Sequence, residues 1–308
     1  MSRPRIALDC DPGLDDAFAI LTAARYGQLD VITTVNGNVN VDKTTRNALI
    51  LTQIGGLDVP VHRGAERPLI VDPVDASDVH GDSGLGGPDL PEVTRQVASY
   101  DAVSALMDAT SDGEVTVVAV GPLTNIAMAI NRDPDWARNL PEIVIMGGSA
   151  TVGNVTPTAE FNIWADPHAA DIVFRSGARV RMVGLNLTHQ VIMGVPEAER
   201  LALLGTPTSR FCAKLLDFYG AYSEQHHGVR RAAMHDPCAV LSVTHPDLVT
   251  FTEHHVAVEL HGTHTFGMTV VDQRANGAEP NMGVAMDVDG DRAVDLIIDA
   301  VAHPSALG

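Results

Sequence analysis

Short apolar runs alternate with longer stretches of helical periodicity along most of the chain. Arg5–Leu8 (RIAL) reads as a buried strand, and Asp15–Tyr26 as a helix with acidic residues in its first turn. Val31–Val35 (VITTV) and the helical stretch Val41–Ile54 repeat that pair. Val115–Val120 (VTVVAV) and Glu142–Met146 (EIVIM) are further apolar strands, with a short helix over Leu123–Ile130 between them, and Val180–Val183 (VRMV) is another strand. Such alternation predicts an α/β fold, an open, mainly parallel sheet flanked by helices on both faces. Glu197–Val243 is largely helical in pattern. Val249–Val288 reads as antiparallel strands, clearest in VAVEL and GMTVV, and Asp291–Ala300 as a closing helix. These are helical and β-hairpin additions to one domain spanning residues 1–308. Gly64–Pro91 breaks the pattern with many Gly, Asp and Pro residues, including HGDSGLGGP at His80–Pro88. A loop of that length in a compact domain reads as a lid.

Composition narrows the partners. The 308 residues are 45% hydrophobic and 19% charged, an ordinary globular balance. Asp and Glu (39) exceed Lys and Arg (20), for a formal charge of −19. A field of that sign repels phosphate backbones and anionic lipid, so no nucleic acid or membrane partner is expected. Cys10, Cys212 and Cys238 are widely spaced, with no CxxC pair, which argues against a disulfide framework or a zinc site. The N-terminal residues lack the apolar stretch of a signal peptide, and no apolar run approaches the roughly 18 residues of a membrane span. A cytoplasmic enzyme is the expectation.

The candidate chemistry begins where the first strand ends. Asp9-Cys10-Asp11-Pro12-Gly13-Leu14-Asp15-Asp16 places four aspartates within eight residues, around a Pro-Gly turn that folds them back on one another. Ligands of open α/β sheets bind at this end of the strands. Helix capping accounts for one or two of these residues. The rest repel one another unless a cation or strong donors compensate. All-oxygen ligands suit Ca2+ or Mg2+, not zinc. The spacing is not that of an EF-hand, since it lacks the sixth-position Gly and the twelfth-position Glu. Asp287–Asp291 also mimics part of such a loop and reads as a turn before the last helix. Far downstream, Met234-His235-Asp236-Pro237 precedes an apolar helical run. Capping alone accounts for Asp236, with Pro237 in the first turn; together, His235 and Asp236 can instead bring a titratable group and a further carboxylate to the site. Ala159-Glu160-Phe161-Asn162 offers hydrogen-bond partners for sugar hydroxyls and an apolar wall.

These segments resemble the inosine–uridine-preferring nucleoside hydrolases. DCDPGLDDA at Asp9–Ala17, TTVNGN at Thr33–Asn38, HGDSGLGG at His80–Gly87, GPLTNIAMA at Gly121–Ala129 and IMGG at Ile145–Gly148 carry the likeness. AEFN at Ala159–Asn162, DPHAA at Asp166–Ala170, VGLNLTH at Val183–His189 and HDPCAV at His235–Val240 continue it in order over nearly the whole chain. The resemblance implies a Rossmann-like sheet and one Ca2+ held by Asp11, Asp16, the backbone carbonyl of Val120, and Asp236. It implies that the ion also binds the attacking water and the ribose 2′- and 3′-hydroxyls. Asp15 and Asn38 would hold the ribose and position the water, and Asn154, Glu160 and Asn162 would grip the other sugar hydroxyls. Met146 and Phe161 would line the pocket, and His80 would lie on a mobile loop above it. A homotetramer or homodimer is the assembly the family suggests.

The implied reaction is hydrolysis of the N-glycosidic bond of a ribonucleoside. Positive charge grows on C1′ in an oxocarbenium-like transition state, which clustered carboxylates suit. Asp11 is the expected general base, because it can touch both ion and water. His235 is the expected acid for the leaving base. The stretch Tyr222–Met234 (YSEQHHGVRRAAM) is expected at the nucleobase. There Tyr222 or His226 can stack or donate a proton, and purine or pyrimidine preference stays open. DCDPG also resembles the start of a magnesium-dependent phosphohydrolase of the haloacid dehalogenase type. That class needs a downstream lysine, and the only lysines, Lys43 and Lys214, sit in no obvious site motif. A non-catalytic nucleoside- or sugar-binding protein is the other alternative, although neither Asp11 nor the metal set is lost.

Overall fold

The structure, a computed structural model, describes residues 3–304. In chain order its strands are β1 (Arg5–Cys10), β2 (Gln28–Thr34), β3 (Val61–Arg63), β4 (Val115–Ala119), β5 (Ile143–Met146), β6 (Val180–Val183), β7 (Ile192–Gly194), β8 (Arg231–Ala233), β9 (Val249–Val258), β10 (Thr269–Asp272) and β11 (Met282–Val288). Nine of them form one sheet in the order β10-β9-β11-β6-β5-β4-β1-β2-β3. From β3 to β11 every neighbouring pair is parallel, whereas β9 runs antiparallel to both β11 and β10. The expected mainly parallel sheet is therefore present. The late segment is mixed rather than purely antiparallel, because β11 joins the parallel sheet beside β6.

Burial explains why the strands read as continuous apolar runs. Ile6, Leu8, Cys10, Val118 and Val120 face one core, while Ala7, Val115, Val117 and Ala119 face the other. Side chains alternate across a strand, and helices cover both faces, so neither face needs polar residues. Beneath the first core lie the helices Asp16–Tyr26, Val41–Ile54, Pro207–His227, His235–Thr244 and Gly290–Ala302. Ala102–Ala109, Thr124–Arg132 and Pro167–Phe174 cover the other face.

Strand order fixes where the chemistry sits. The succession β3-β2-β1-β4-β5-β6 reverses direction between β1 and β4, and ligands of such sheets bind outside the strand ends at that crevice. β1 runs two residues further than its apolar pattern, to Cys10. Asp9 is accommodated there because Thr33 Oγ1 (2.6 Å) and Asn125 Nδ2 (2.7 Å) donate to its Oδ1.

The helical region after Glu197 is interrupted. β8 turns back to pair with β7 before the helix His235–Thr244 begins. β3 has only three residues, too short to show a period. The loop over 64–91 contains one helical turn, Ser77–His80, and is tied down along its length. Ala65 N donates to Asn125 Oδ1, Leu69 N to Asp166 Oδ2, and Ala76 N to Asn38 O. No helix of the described residues is long and apolar enough to cross a membrane.

Candidate active site

Asp11, Asp15, Asp16 and Asp236 are all buried at the β1–β4 crevice. Chain geometry puts them there. After β1 the backbone turns through Pro12 and Gly13 into the helix Asp16–Tyr26. Asp15 is the residue before that helix, yet its side chain caps nothing. One of its oxygens instead faces the backbone N–H of Asp236 at 3.4 Å. Asp16 turns back to accept from Gly13 N (2.8 Å) and Asp11 N (3.2 Å). Asp236 also differs from expectation. It lies inside the helix His235–Thr244, whose N-cap is Met234, so it is not a cap and its carboxylate is free for the cluster.

One carboxylate oxygen each from Asp15, Asp16 and Asp236 lies within 4.8 Å of the others. Asp11 stands outside that trio but is bound to it through Asn38. Asn38 N donates to Asp11 Oδ2 (2.7 Å), and Asn38 Nδ2 donates to Asp11 O and Asp16 Oδ2, both at 3.1 Å. Asp11 Oδ1 is buried and has no partner in the protein.

The electrostatics are strained accordingly. Burial first, then the neighbouring carboxylates, push Asp11 and Asp236 well above the ordinary aspartate range. Asp16 rises to about 7 for the same reasons. Two helix N-termini point at the cluster, but each is worth only about half a charge. That is too little for four carboxylates. An all-oxygen donor set with an orphaned buried oxygen fits a hard divalent cation.

Glycines let the backbone approach this closely. A Cβ on Gly37 would sit 2.0 Å from Asp11 Oδ2, and one on Gly121 2.6 Å from Asp11 Oδ1. Gly37→Ala is therefore expected to displace the Asp11 carboxylate. About a hundredfold loss of kcat is the expected result, the scale of a 1 Å misplacement. Steady-state kinetics with circular dichroism on the folded variant checks it.

Around the carboxylates the structure gathers most of the expected partners. The Val120 carbonyl accepts from Asn162 Nδ2 (2.9 Å), which also donates to Met146 O (3.1 Å). Glu160 is buried at the start of the helix Phe161–Ala165 and accepts from Gly148, Asn162 and Ile163 backbone N–H groups. Burial still lifts it to about 7, and the charge of Asp15 adds to the shift. Phe161 is half-buried beside it. Asn154 lies on the exposed rim, where its Oδ1 accepts from Phe161 N.

His80 is buried over the turn. Its Nδ1 accepts from Leu14 N (3.0 Å), and burial lowers its pKa to about 4, so it is neutral. His235 Nδ1 pairs with Thr188 Oγ1 at 2.7 Å, and burial together with His189 holds it below the ordinary histidine range. Tyr222 stacks on exposed His226 (4.1 Å between centroids) at the end of the helix Pro207–His227.

Two residues beside the site were not singled out in the sequence. Tyr219, one turn before Tyr222, is half-buried; burial first, then the charges of Asp15 and Asp236, raise its hydroxyl pKa well above the ordinary value. Its ring lies 6.4 Å from that of His80. Its only signal was the spacing Tyr219, Tyr222, His226 along one helix face. Asn125 is the other. It joins Asp9, Thr34 O and Ala65 N, none of them near it in sequence.

Known proteins carry the same architecture. A family model described as "Inosine-uridine preferring nucleoside hydrolase" matches residues 6–295. The chain belongs to this family. The family's reaction class, hydrolysis of the N-glycosidic bond of ribonucleosides, comes with that membership. Among similar proteins, the pyrimidine-specific ribonucleoside hydrolase RihA of Escherichia coli (strain SMS-3-5 / SECEC) is 45% identical over 301 residues, 96% of this chain and 97% of its own. The RihA of Citrobacter koseri is 44% identical over 304 residues, again 96% and 97%. Among solved structures, the purine-preferring ribonucleoside hydrolase from Gardnerella vaginalis superposes with a TM-score of 0.92 at 33% identity, covering 97% of this chain and 98% of that one. A plant nucleoside hydrolase gives 0.89 at 33% identity, covering 97% and 99%.

Proposed function

We propose that this protein is a Ca2+-dependent ribonucleoside hydrolase with a preference for pyrimidine bases, acting in nucleoside salvage or catabolism. The observation that carries the reading is the buried oxygen cluster of Asp15, Asp16 and Asp236, with the unpartnered Asp11 Oδ1 beside it. The pyrimidine preference follows the RihA relatives.

Asp11, Asp16, Asp236 and the Val120 carbonyl would hold the cation. Asp11 has a free oxygen, and a carbonyl oxygen has two lone pairs, of which Asn162 uses one. Asp15, whose oxygen lies within 4.8 Å of those of Asp16 and Asp236, is assigned to the ribose at the edge of the cation site, as the family resemblance implies. Held there, Ca2+ would lower the pKa of a water and help orient it and the ribose.

The chain's own groups do the rest. Asp11 takes the proton of the attacking water. Asp15, Asn38, Glu160 and Asn162 surround the sugar, with Asn154 at the rim and Met146 and Phe161 as its apolar walls. The carboxylates stabilise positive charge growing at C1′. Attack by water without a covalent intermediate inverts C1′. His80 covers the turn, and Tyr219, Tyr222 and His226 face the departing base.

His235 is neutral, so its contribution is one N–H. In the tautomer in which Thr188 donates to Nδ1, Nε2 carries the proton and is the donor to the leaving base. His235→Ala is expected to cost more on inosine than on uridine, because a purine leaves more readily once protonated. Equal losses on both in kcat/KM measurements would remove His235 from base activation.

Ribose release from uridine, cytidine, inosine, adenosine and guanosine, by a reducing-sugar assay, tests the proposal. Faster release from the two pyrimidine nucleosides supports the assigned preference, and faster release from the purines overturns it.

A further inference from the structure

Asn47 lies in the helix Val41–Ile54, outside every motif that marked the site, and its side chain is completely buried. Its Nδ2 donates to two carbonyls at once, Pro12 O (2.9 Å) and Ser83 O (2.8 Å). Pro12 belongs to the aspartate turn. Ser83 belongs to the glycine-rich loop that carries His80. The Oδ1 of Asn47 is buried without a partner. A side chain kept for packing would not leave half of its amide unsatisfied, a cost of about 1–3 kcal/mol.

Lys43, one turn earlier on the same helix face, makes a parallel connection. Its Nζ donates to Asp82 O (2.6 Å) and Asp82 Oδ1 (2.8 Å). Two donors at i and i+4 thus hold consecutive carbonyls of the loop. The loop backbone lies directly on the amide: a Cβ on Gly84, at φ +83°, would sit 2.7 Å from Asn47 Nδ2. Only a glycine takes that conformation and approach without strain.

Together the contacts close a ring. The Pro12 carbonyl meets Asn47, Asn47 meets Ser83, the chain returns from Ser83 to His80, and His80 Nδ1 accepts from Leu14 N, two residues beyond Pro12. We propose that Asn47 is a positioning residue that holds the His80 loop in register with the aspartate turn, with Lys43 as the outer clasp, so that the loop is closed over the turn before a nucleoside binds.

This inference rests on the reading of His80 as part of the substrate site. Loosening the clasp raises the population of open loop. Apparent affinity falls by the closed fraction, while the saturated enzyme, whose loop the substrate closes, turns over as before. KM therefore rises with little change in kcat.

The test uses Asn47→Leu, which has similar volume and no donors, and Lys43→Met and Lys43→Arg, exposed enough to fold whatever Asn47→Leu does. Hydrogen exchange of the amides over residues 80–87, without nucleoside, reads the loop itself. The expected result is roughly tenfold faster exchange there for Asn47→Leu and about threefold for Lys43→Met, the scale of one or two lost hydrogen bonds, with rescue in Lys43→Arg. KM for uridine is expected to rise only by the factor by which the closed fraction falls, with kcat within about twofold of wild type. Unchanged exchange overturns the clasp. A closed fraction that falls in the exchange data with no matching rise in KM, or a joint fall of kcat and Tm with KM constant, overturns its positioning role and leaves Asn47 as packing. Absence of hydrolysis by the wild-type protein would strike the functional reading instead, and the exchange data would still stand.

Discussion

Asp11→Asn is expected to abolish turnover and stabilise the metal-free protein at once. The general base and a ligand oxygen disappear together, so kcat should fall by about 10^4-fold, the upper end for a single acid–base group. The folded state responds the other way. Asp11 is buried with one orphan oxygen, and its neighbours Asp16 and Asp15 add to the cost of its charge. A neutral amide keeps the shape, can still accept from Asn38 N, and removes one charge from the repelling set. The variant should therefore melt about 1–4 °C higher than wild type without cation, and gain less from added Ca2+. Calorimetry with and without chelator, beside single-turnover assays, checks both halves. Turnover near wild type would remove Asp11 from the mechanism. A lower melting point in chelator would mean that the carboxylate is held by something other than a cation.

Removing the cation is the second large effect. Saturation at a thousand times Kd stabilises a protein by about 4 kcal/mol, so chelation should lower the melting temperature as well as stop hydrolysis. The effect should depend on pH in a defined direction. Burial, with the charge of Asp15, raises Asp16 to about 7 in the metal-free fold, and Asp11 and Asp236 also rise, whereas an unfolded aspartate titrates near 4. Between about pH 4 and pH 7 the native state then binds protons that the unfolded state has released, and metal-free stability falls as pH rises through that window. Cation binding expels those protons, so affinity should increase over the same range. Melting curves at about pH 5, 6 and 7, with chelator and with Ca2+, should diverge as pH rises. Parallel curves would contradict a cation at the carboxylates.

The acidic cluster and the buried strands were legible in the sequence for different reasons. Four aspartates at one strand end were legible because they are contiguous, and their repulsion is a property of the residues themselves. Strands β1, β4, β5 and β6 were legible because both faces are covered, which leaves an unbroken apolar run. Their order was not, since nothing in a buried strand names its neighbour. β11 looked antiparallel for that reason: its pairing with β6 crosses about a hundred residues. Capping was misleading at Asp15 and Asp236, where helix N-termini present carboxylates to a shared site instead of to their own backbone. Tyr219 was hidden because an aromatic on an amphipathic helix reads as core. Asn125 and Asn47 were hidden because a buried amide acts through partners that only the fold brings near.

The central claim is that a cation in the carboxylate cluster is required for water to attack the ribonucleoside. The most direct measurement is ribose release from uridine by protein stripped of metal, with metal content determined on the same sample, followed by titration with Ca2+. The stripped protein should release no ribose, and recovery should saturate at one ion per chain. Undiminished release from protein shown to be metal-free would contradict it.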